Sequence, residues 1–403
     1  MEYSDKIVEQ LKKTYGLPLY VFDEAGFIEN YRKLESAMRS LYSKYRIAYS
    51  FKTNYTPYIC SLVKQLGGYA EVVSEMEYAI AKRIGFDDSS ILFNGPEKTE
   101  EAAAAFLNGC MIHADSLDEL RCFCRIAGQN PAQSFKIGLR IHLDIASGFV
   151  SRFGMDADDA AKAFQIVTGV RNLSIAGLHC HISRCRNKDA WRKRTEIMLS
   201  LSDRLFDGTP DYLDLGSGMF GSMAPEFAEQ FGEIPSYEDY AEVTAGLLAD
   251  HYRADSCPVL FTEPGTTLIN RFVDCIAEVR SIKRVDGHCF AVLNASEHNL
   301  GETCLLKKLP IQVFPGGEEQ QWYEQLPLTG YTCLEQDVLY PSYTGRLTKG
   351  DYVVFGNTGG YSNVLKPPFI RPNCAMVVRK IDGSYDLIKK AESLDDLLGT
   401  YVF

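Results

Sequence analysis

The sequence predicts an α/β fold: a (β/α)8, TIM-like barrel with a C-terminal all-β domain. Three observations carry this. Strand-like runs alternate with amphipathic segments over the first two-thirds of the chain, which implies parallel pairing. Polar residues recur at the C-terminal ends of those runs. After about residue 270, strand-like runs follow one another directly, separated by turn signals.

A chain of 403 residues exceeds what a single hydrophobic core usually serves. The pattern divides it into a barrel over 24–268 and a β-sheet domain formed by 1–23 plus 269–403. Apolar residues at 46% and charged residues at 24% are ordinary for a soluble globular protein. A net charge of −11 disfavours nucleic acid or an anionic membrane as partner. The stretch MEYSDKIVEQLKKTYG is amphipathic, with Ile7, Val8 and Leu11 at helical spacing and Gly16 to end the helix. It lacks the apolar core of a secretory signal, and no apolar run approaches the roughly 20 residues that span a bilayer. Twelve cysteines without such a signal predict reduced thiols in the cytoplasm.

The barrel strands are expected at 46–52, 68–74, 91–95, 110–115, 135–142, 173–182, 212–216 and 258–263, with helical segments such as 99–108, 116–127 and 237–253 between them. The all-β part is expected at 273–284, 289–294, 311–314, 351–356 and 374–381, with PGG, KGD and DGS as turns. PLYVFD (18–23) can pair with that sheet.

Chemistry on such barrels sits at the C-terminal strand ends. Here those ends read Lys52, Ser74, Asn94, Asp115, Arg140, His181, the GSG of 216–218 and Glu263. Lys52 closes the run IAYSFK among apolar neighbours. It reads either as a snorkelling lysine or as an amine of lowered pKa that forms a Schiff base with an aldehyde. GSGMFG reads as an ordinary glycine turn or as a cradle of N–H groups for a phosphate. Glu263 is a structural carboxylate or the partner of a pyridinium nitrogen. His179, Cys180, His181 and Cys185 suggest a metal site, but along a strand Cys180 points away from the two histidines, so a ring platform for a flat cofactor is preferred and no metal is predicted. Amine, phosphate cradle, carboxylate and stacking ring together describe a pocket for pyridoxal phosphate.

With these residues in view, the sequence resembles the fold type III pyridoxal-phosphate decarboxylases acting on ornithine, diaminopimelate and carboxynorspermidine, whose fold is shared with alanine racemase. The likeness runs from about residue 17 to 372. SFKTN, EVVSEMEYAIAKRIGF, ILFNGPEKT, SRFGM, HCHIS, LDLGSG, EPG, GYTCLEQDVL and NTGGYS occur in family order. The resemblance implies that Lys52 holds the cofactor, His181 stacks on its ring, Gly216, Ser217 and Gly218 bind its phosphate, and Glu263 faces the pyridine nitrogen. It further implies that Gly265 and Tyr361 contact the cofactor, and that Cys333 is a catalytic cysteine reaching the barrel of a partner subunit in a homodimer.

Three positions depart from the family pattern. The arginine expected after EPG is Thr266, the Gly-Ser expected after the stacking histidine is Ser183-Arg184, and the acidic residue expected after the catalytic cysteine is Leu334. A phosphate dianion needs a cation or many donors, so Arg184 is expected to replace the missing arginine. Without an acid at Leu334, a free distal ammonium lacks its counter-charge unless Glu335 or Asp337 supplies it. The region 294–310 departs from the arginine-bearing segment with which diaminopimelate decarboxylases hold the distal group, and His298, Lys307 and Lys308 are candidate substitutes for it. The expected substrate is therefore a modified, larger or carrier-linked amino acid. The alternatives are a silent regulator similar to antizyme inhibitor, and an amino-acid racemase.

Overall fold

The computed structural model describes residues 1–402 except 99, 146, 147, 149, 318 and 319. The chain forms two compact units, one of Tyr31–Phe220 with Glu233–Thr267, the other of Met1–Asn30, Gly221–Gly232 and Leu268–Phe403.

The first strand of the chain, β1 (Leu19–Asp23), belongs to the second unit. The next eight are β2 (Tyr45–Ser50), β3 (Tyr69–Val72), β4 (Ile91–Phe93), β5 (Met111–Ala114), β6 (Phe135–Arg140), β7 (Leu173–His179), β8 (Tyr212–Asp214) and β9 (Val259–Thr262). Each pairs in parallel with the next, and β2 pairs with β9 through Tyr45↔Leu260 to close the barrel. Each of the eight runs expected from the sequence overlaps one of them. Parallel strands flanked by helices are buried on both faces, which is why Ile47, Ala48 and Tyr49 are all buried in succession.

Side-chain caps start several of the barrel helices. Ser74, Ser116, Asp156 and Asn187 each accept from a backbone N–H two or three residues on. Such a cap stabilises a helix by about 1 kcal/mol. Ser74, expected among the rim groups, caps Glu75–Ile84 by accepting from Glu77 N–H at 3.3 Å. The helix expected over 99–108 runs Glu100–Leu107, and Thr99 lies outside the described residues. The one expected over 237–253 spans Tyr237–Ala241 and Leu247–His251 with a π turn at Glu242–Gly246 between them.

The second unit is a nine-stranded sheet. Beside β1 it contains β10 (Val273–Val285), β11 (His288–Leu293), β12 (Ile311–Phe314), β13 (Gln321–Thr329), β14 (Val338–Leu347), β15 (Tyr352–Phe355), β16 (Ala375–Arg379) and β17 (Tyr385–Lys389). β1 lies between β10 and β16, antiparallel to the first and parallel to the second. The helix Asp5–Tyr15 sets Val8 and Leu11 in a core with Leu19, Val21, Ile276, Val354 and Val377. β13, β14 and β17 were not expected from the sequence. β13 and β17 are exposed or half-buried over most of their length, and register shifts interrupt the β13–β14 ladder, so no clean alternation marks them.

Asp274 on β10 is 5% exposed and accepts from the Tyr3 hydroxyl at 3.0 Å. Burial raises its pKa from 3.8 to about 7. A carboxyl with a raised folded-state pKa stabilises the fold at low pH and loses that contribution as pH rises through the raised value. Denaturant unfolding of the wild type should therefore show stability falling between these two pH values, with a component of up to about 1.4 kcal/mol per pH unit. Asp274→Asn should flatten that component.

Candidate active site

Lys52 stands in the 3-10 turn Phe51–Thr53 that ends β2. Its surroundings are less apolar than the sequence suggests. Nζ donates to Ser50 Oγ at 3.1 Å and to Glu71 Oε2, and the Ser50 hydroxyl donates to that same carboxylate oxygen. Glu71 lies on β3 and is almost wholly buried, whereas the lysine side chain retains 30% of its exposure. A buried carboxylate holds the amine at the rim.

Behind this pair lies a polar network inside the barrel. Asn94, just past β4, donates through its amide to Glu71 Oε1 at 3.3 Å and to Glu263 Oε1. Its Oδ1 faces His113 Nδ1 on β5, which makes that nitrogen the protonated one. The rings of His113 and His179 stack at 4.8 Å and 10°. His179 Nε2 lies 3.2 Å from Glu263 Oε2, and His181 Nδ1 lies 3.6 Å from the same oxygen. In Glu263 burial acts upward, but His179, His181 and Lys52 outweigh it and hold the carboxyl well below its usual range. Burial, then Glu263, push neighbouring Asp214 well up. Burial, then His179, push His113 well down. Burial thus favours the protonated form of Asp214 and the neutral form of His113, while Glu263 is held ionised. His179, Asp214 and Glu263 also bring one ligand atom each to within 4.8 Å of one another.

The rim continues at Asp115 and Arg140, paired at 3.2 Å, with Gly154 N–H also donating to Asp115 and the Phe153 ring 4.6 Å from the guanidinium. His181 is half-buried, and its Nδ1 accepts from Ser217 N–H at 3.3 Å. Gly216 and Gly218 have φ of 60° and 102°. A Cβ at the first would overlap the carbonyl of Cys180, and one at the second that of Ile182. Gly265 has the same restriction, because its Cβ would overlap Thr53 Oγ1 in the lysine turn. Thr266 is half-buried, and Ser183 and Arg184 are exposed. Arg194 is fully buried behind the turns; the sequence offered no signal for it, since its helix reads as an ordinary charged one. Glu71, His113 and Asp214 were also missed, although an acid or imidazole inside an apolar strand run was a usable signal.

The remaining expected residues belong to the sheet unit. Cys333 and Glu335 are exposed and Leu334 is half-buried. Asp337 is buried and accepts from Glu297 N–H at 2.8 Å and from the Thr332 hydroxyl at 2.6 Å. Lys307 donates to Gln230 O at 2.5 Å and lies over the Phe231 ring, and Lys308 N–H donates to the Gln230 side chain. His298 meets Phe369 edge-on at 6.2 Å. Tyr361 is half-buried with a φ of 56°.

A closed parallel barrel that gathers an amine, buried carboxylates and a glycine-lined turn at the carboxyl ends of its strands has the form of a (β/α)8 enzyme. The family described as pyridoxal-dependent decarboxylase, pyridoxal binding domain, matches residues 28–270, and the chain belongs to it. A diaminopimelate decarboxylase of Aquifex aeolicus (strain VF5) is 26% identical over 404 residues, covering 96% of this chain and 92% of the relative. The L-glutamyl-(BtrI acyl-carrier protein) decarboxylase of Niallia circulans is 25% identical, covering 98% and 95%. The crystal structure of diaminopimelate decarboxylase from M. jannaschii in co-complex with L-lysine is similar in fold, with a TM-score of 0.85 at 23% identity over 98% of this chain and 94% of that one.

The protein is a pyridoxal-phosphate-dependent amino-acid decarboxylase, a carboxy-lyase. The residues present fit that cofactor. Its aldehyde requires an amine, its ring nitrogen an ionised acid, and its phosphate a turn whose backbone no side chain covers. Lys52, Glu263 and the glycines of 216–218 have these properties. Among the described residues no helix is long and apolar enough to cross a membrane.

Gly265→Ala should force Thr53 and the lysine turn apart. A loss of about 1–3 kcal/mol in denaturant unfolding is expected, with smaller losses from alanine at open positions such as Gly128.

Proposed function

We propose that this enzyme removes the α-carboxylate of an amino acid whose distal end is modified, enlarged or carrier-linked, and that Lys52 is its cofactor-holding amine. The supporting observation is the Lys52–Glu71 pair joined through Asn94 to Glu263. When bound, pyridoxal phosphate supplies an aldehyde for amines and a conjugated ring that accepts the electron pair of the breaking carbon–carboxylate bond. In this reading Glu71 orients the Lys52 amine and accepts its spare proton. Glu263, ionised and dry, keeps a proton on the ring nitrogen. His181 supports one face of the ring. Gly216, Ser217, Gly218, Ser183, Gly265 and Thr266 surround the phosphate, and Tyr361 completes the cofactor contacts. Cys333 of the partner subunit delivers the proton that replaces carbon dioxide, so the active unit is a homodimer.

The substrate reading rests on Leu334, which puts no acid beside the cysteine to receive a free ammonium. The carrier-linked substrate named for the Niallia circulans relative supports it. A second reading, diaminopimelate itself, is favoured by the Aquifex aeolicus relative. His298, Lys307 and Glu335 are the residues proposed to meet the distal end in either case; Asp337, buried and already accepting from Glu297 and Thr332, is not among them.

Lys52→Ala and Cys333→Ala should each lose turnover, and the lysine variant should also lose the visible absorbance of the bound cofactor. Mixing the two should regain carbon dioxide release if each site draws on two subunits; no recovery after subunit exchange would refute the shared site. Carbon dioxide release should be at least tenfold faster, in kcat/KM, from carrier-linked than from free amino acids. Efficient turnover of free diaminopimelate would select the second reading, and of free ornithine or lysine would refute both.

A further inference from the structure

Arg194 is a cation without an anion. Its side chain is fully buried in the helix Lys188–Leu205, and among the described residues no carboxylate pairs with it. The titratable groups that bear on it are the Cys180 and Cys185 thiols and the Tyr240 hydroxyl. Burial lowers its pKa to about 10, so it stays charged at neutral pH. Burying a charge in this way costs several kcal/mol unless something offsets it.

Its hydrogen bonds indicate what that is. Nη1 donates to the carbonyls of Leu215 at 3.0 Å and Ser217 at 2.8 Å, and Nη2 donates to that of Ile182 at 2.9 Å. One turn earlier on the same helix, Trp191 stacks on the guanidinium at 3.9 Å and donates from Nε1 to the Gly218 carbonyl at 3.4 Å. The helix thus grips the glycine turn and the loop after His181 by their carbonyls. In a trans peptide the C=O and the following N–H point in opposite directions. Carbonyls of Ser217 and Ile182 turned toward Arg194 therefore aim the N–H groups of Gly218 and Ser183 away from it. Among the described residues neither N–H has a partner. Two unpaired donors face outward, with a buried positive charge behind their peptides. That is the arrangement for a dianion.

We propose that Arg194 is the positioning residue of the phosphate cradle: it fixes the Gly218 and Ser183 N–H groups toward the cofactor's phosphate and supplies the counter-charge that Thr266 cannot. The inference rests on the reading that the phosphate sits at 216–218. It moves the compensating cation from the exposed Arg184 to a residue inside the wall.

The test uses binding to apoprotein rather than turnover. Wild type, Arg194→Met, Arg194→Lys and Arg184→Ala are titrated with pyridoxal phosphate and with pyridoxal, which keeps the aldehyde and lacks the phosphate. Thermal unfolding is followed with and without inorganic phosphate. Arg194→Met should weaken pyridoxal phosphate about tenfold or more and change pyridoxal less than twofold. It should also abolish the rise in Tm that phosphate gives the wild type. Arg194→Lys should retain part of the preference, and Arg184→Ala nearly all of it. Equal weakening of both ligands in Arg194→Met, or none, overturns the proposal. Should the methionine variant not fold, the lysine variant decides alone: an undiminished preference for the phosphorylated ligand overturns the proposal. A wild type that binds both ligands equally would instead sink the underlying reading of the cradle.

Discussion

The carboxamide of Asn94 ties the interior of the barrel together. It donates to two carboxylates on opposite sides, Glu71 and Glu263, and accepts from His113. Two acids this close would ordinarily repel until one took up a proton. Here one is neutralised by the lysine amine at the end of β2, and the other is held ionised by two imidazoles. Electrostatic balance, more than shape, determines which residues are tolerated in this layer. An apolar side chain at Asn94 would take this donor from Glu71 Oε1 and Glu263 Oε1.

The same balance explains why a buried strand ends on a lysine. Lys52 is placed where a fully buried acid needs a cation, and its flexible stem leaves the amine partly exposed at the rim. Charge neutrality at Glu71 is thus met at the rim. Asp214 shows the other solution: its burial beside Glu263 favours the protonated form.

Much of this was legible in the sequence, for identifiable reasons. The eight barrel strands are short and mostly buried, so each appears as an apolar run, and the groups at their ends stand out by contrast. Lys52, Asn94, His181 and Glu263 were found in that way. Strands β13 and β17 were missed because their exposed faces leave no period to read, and β14 because register shifts break its ladder. Glu71 and Asp214 went unread because a single acid in a strand looks like a solvent-facing position until its neighbours are known. Arg194 shows the limit most clearly. Nothing in DAWRKRTEIM separates it from Arg192, which is half-buried on the same helix and pairs with Glu242. Only the fold tells them apart.

The turn at 216–218 is shaped by carbonyls held from behind and by glycines whose every Cβ direction is blocked, so its form is set during folding. An arriving ligand meets a receptor whose ordering entropy has already been lost. Association then requires little rearrangement of this turn, and affinity should show itself in slow release.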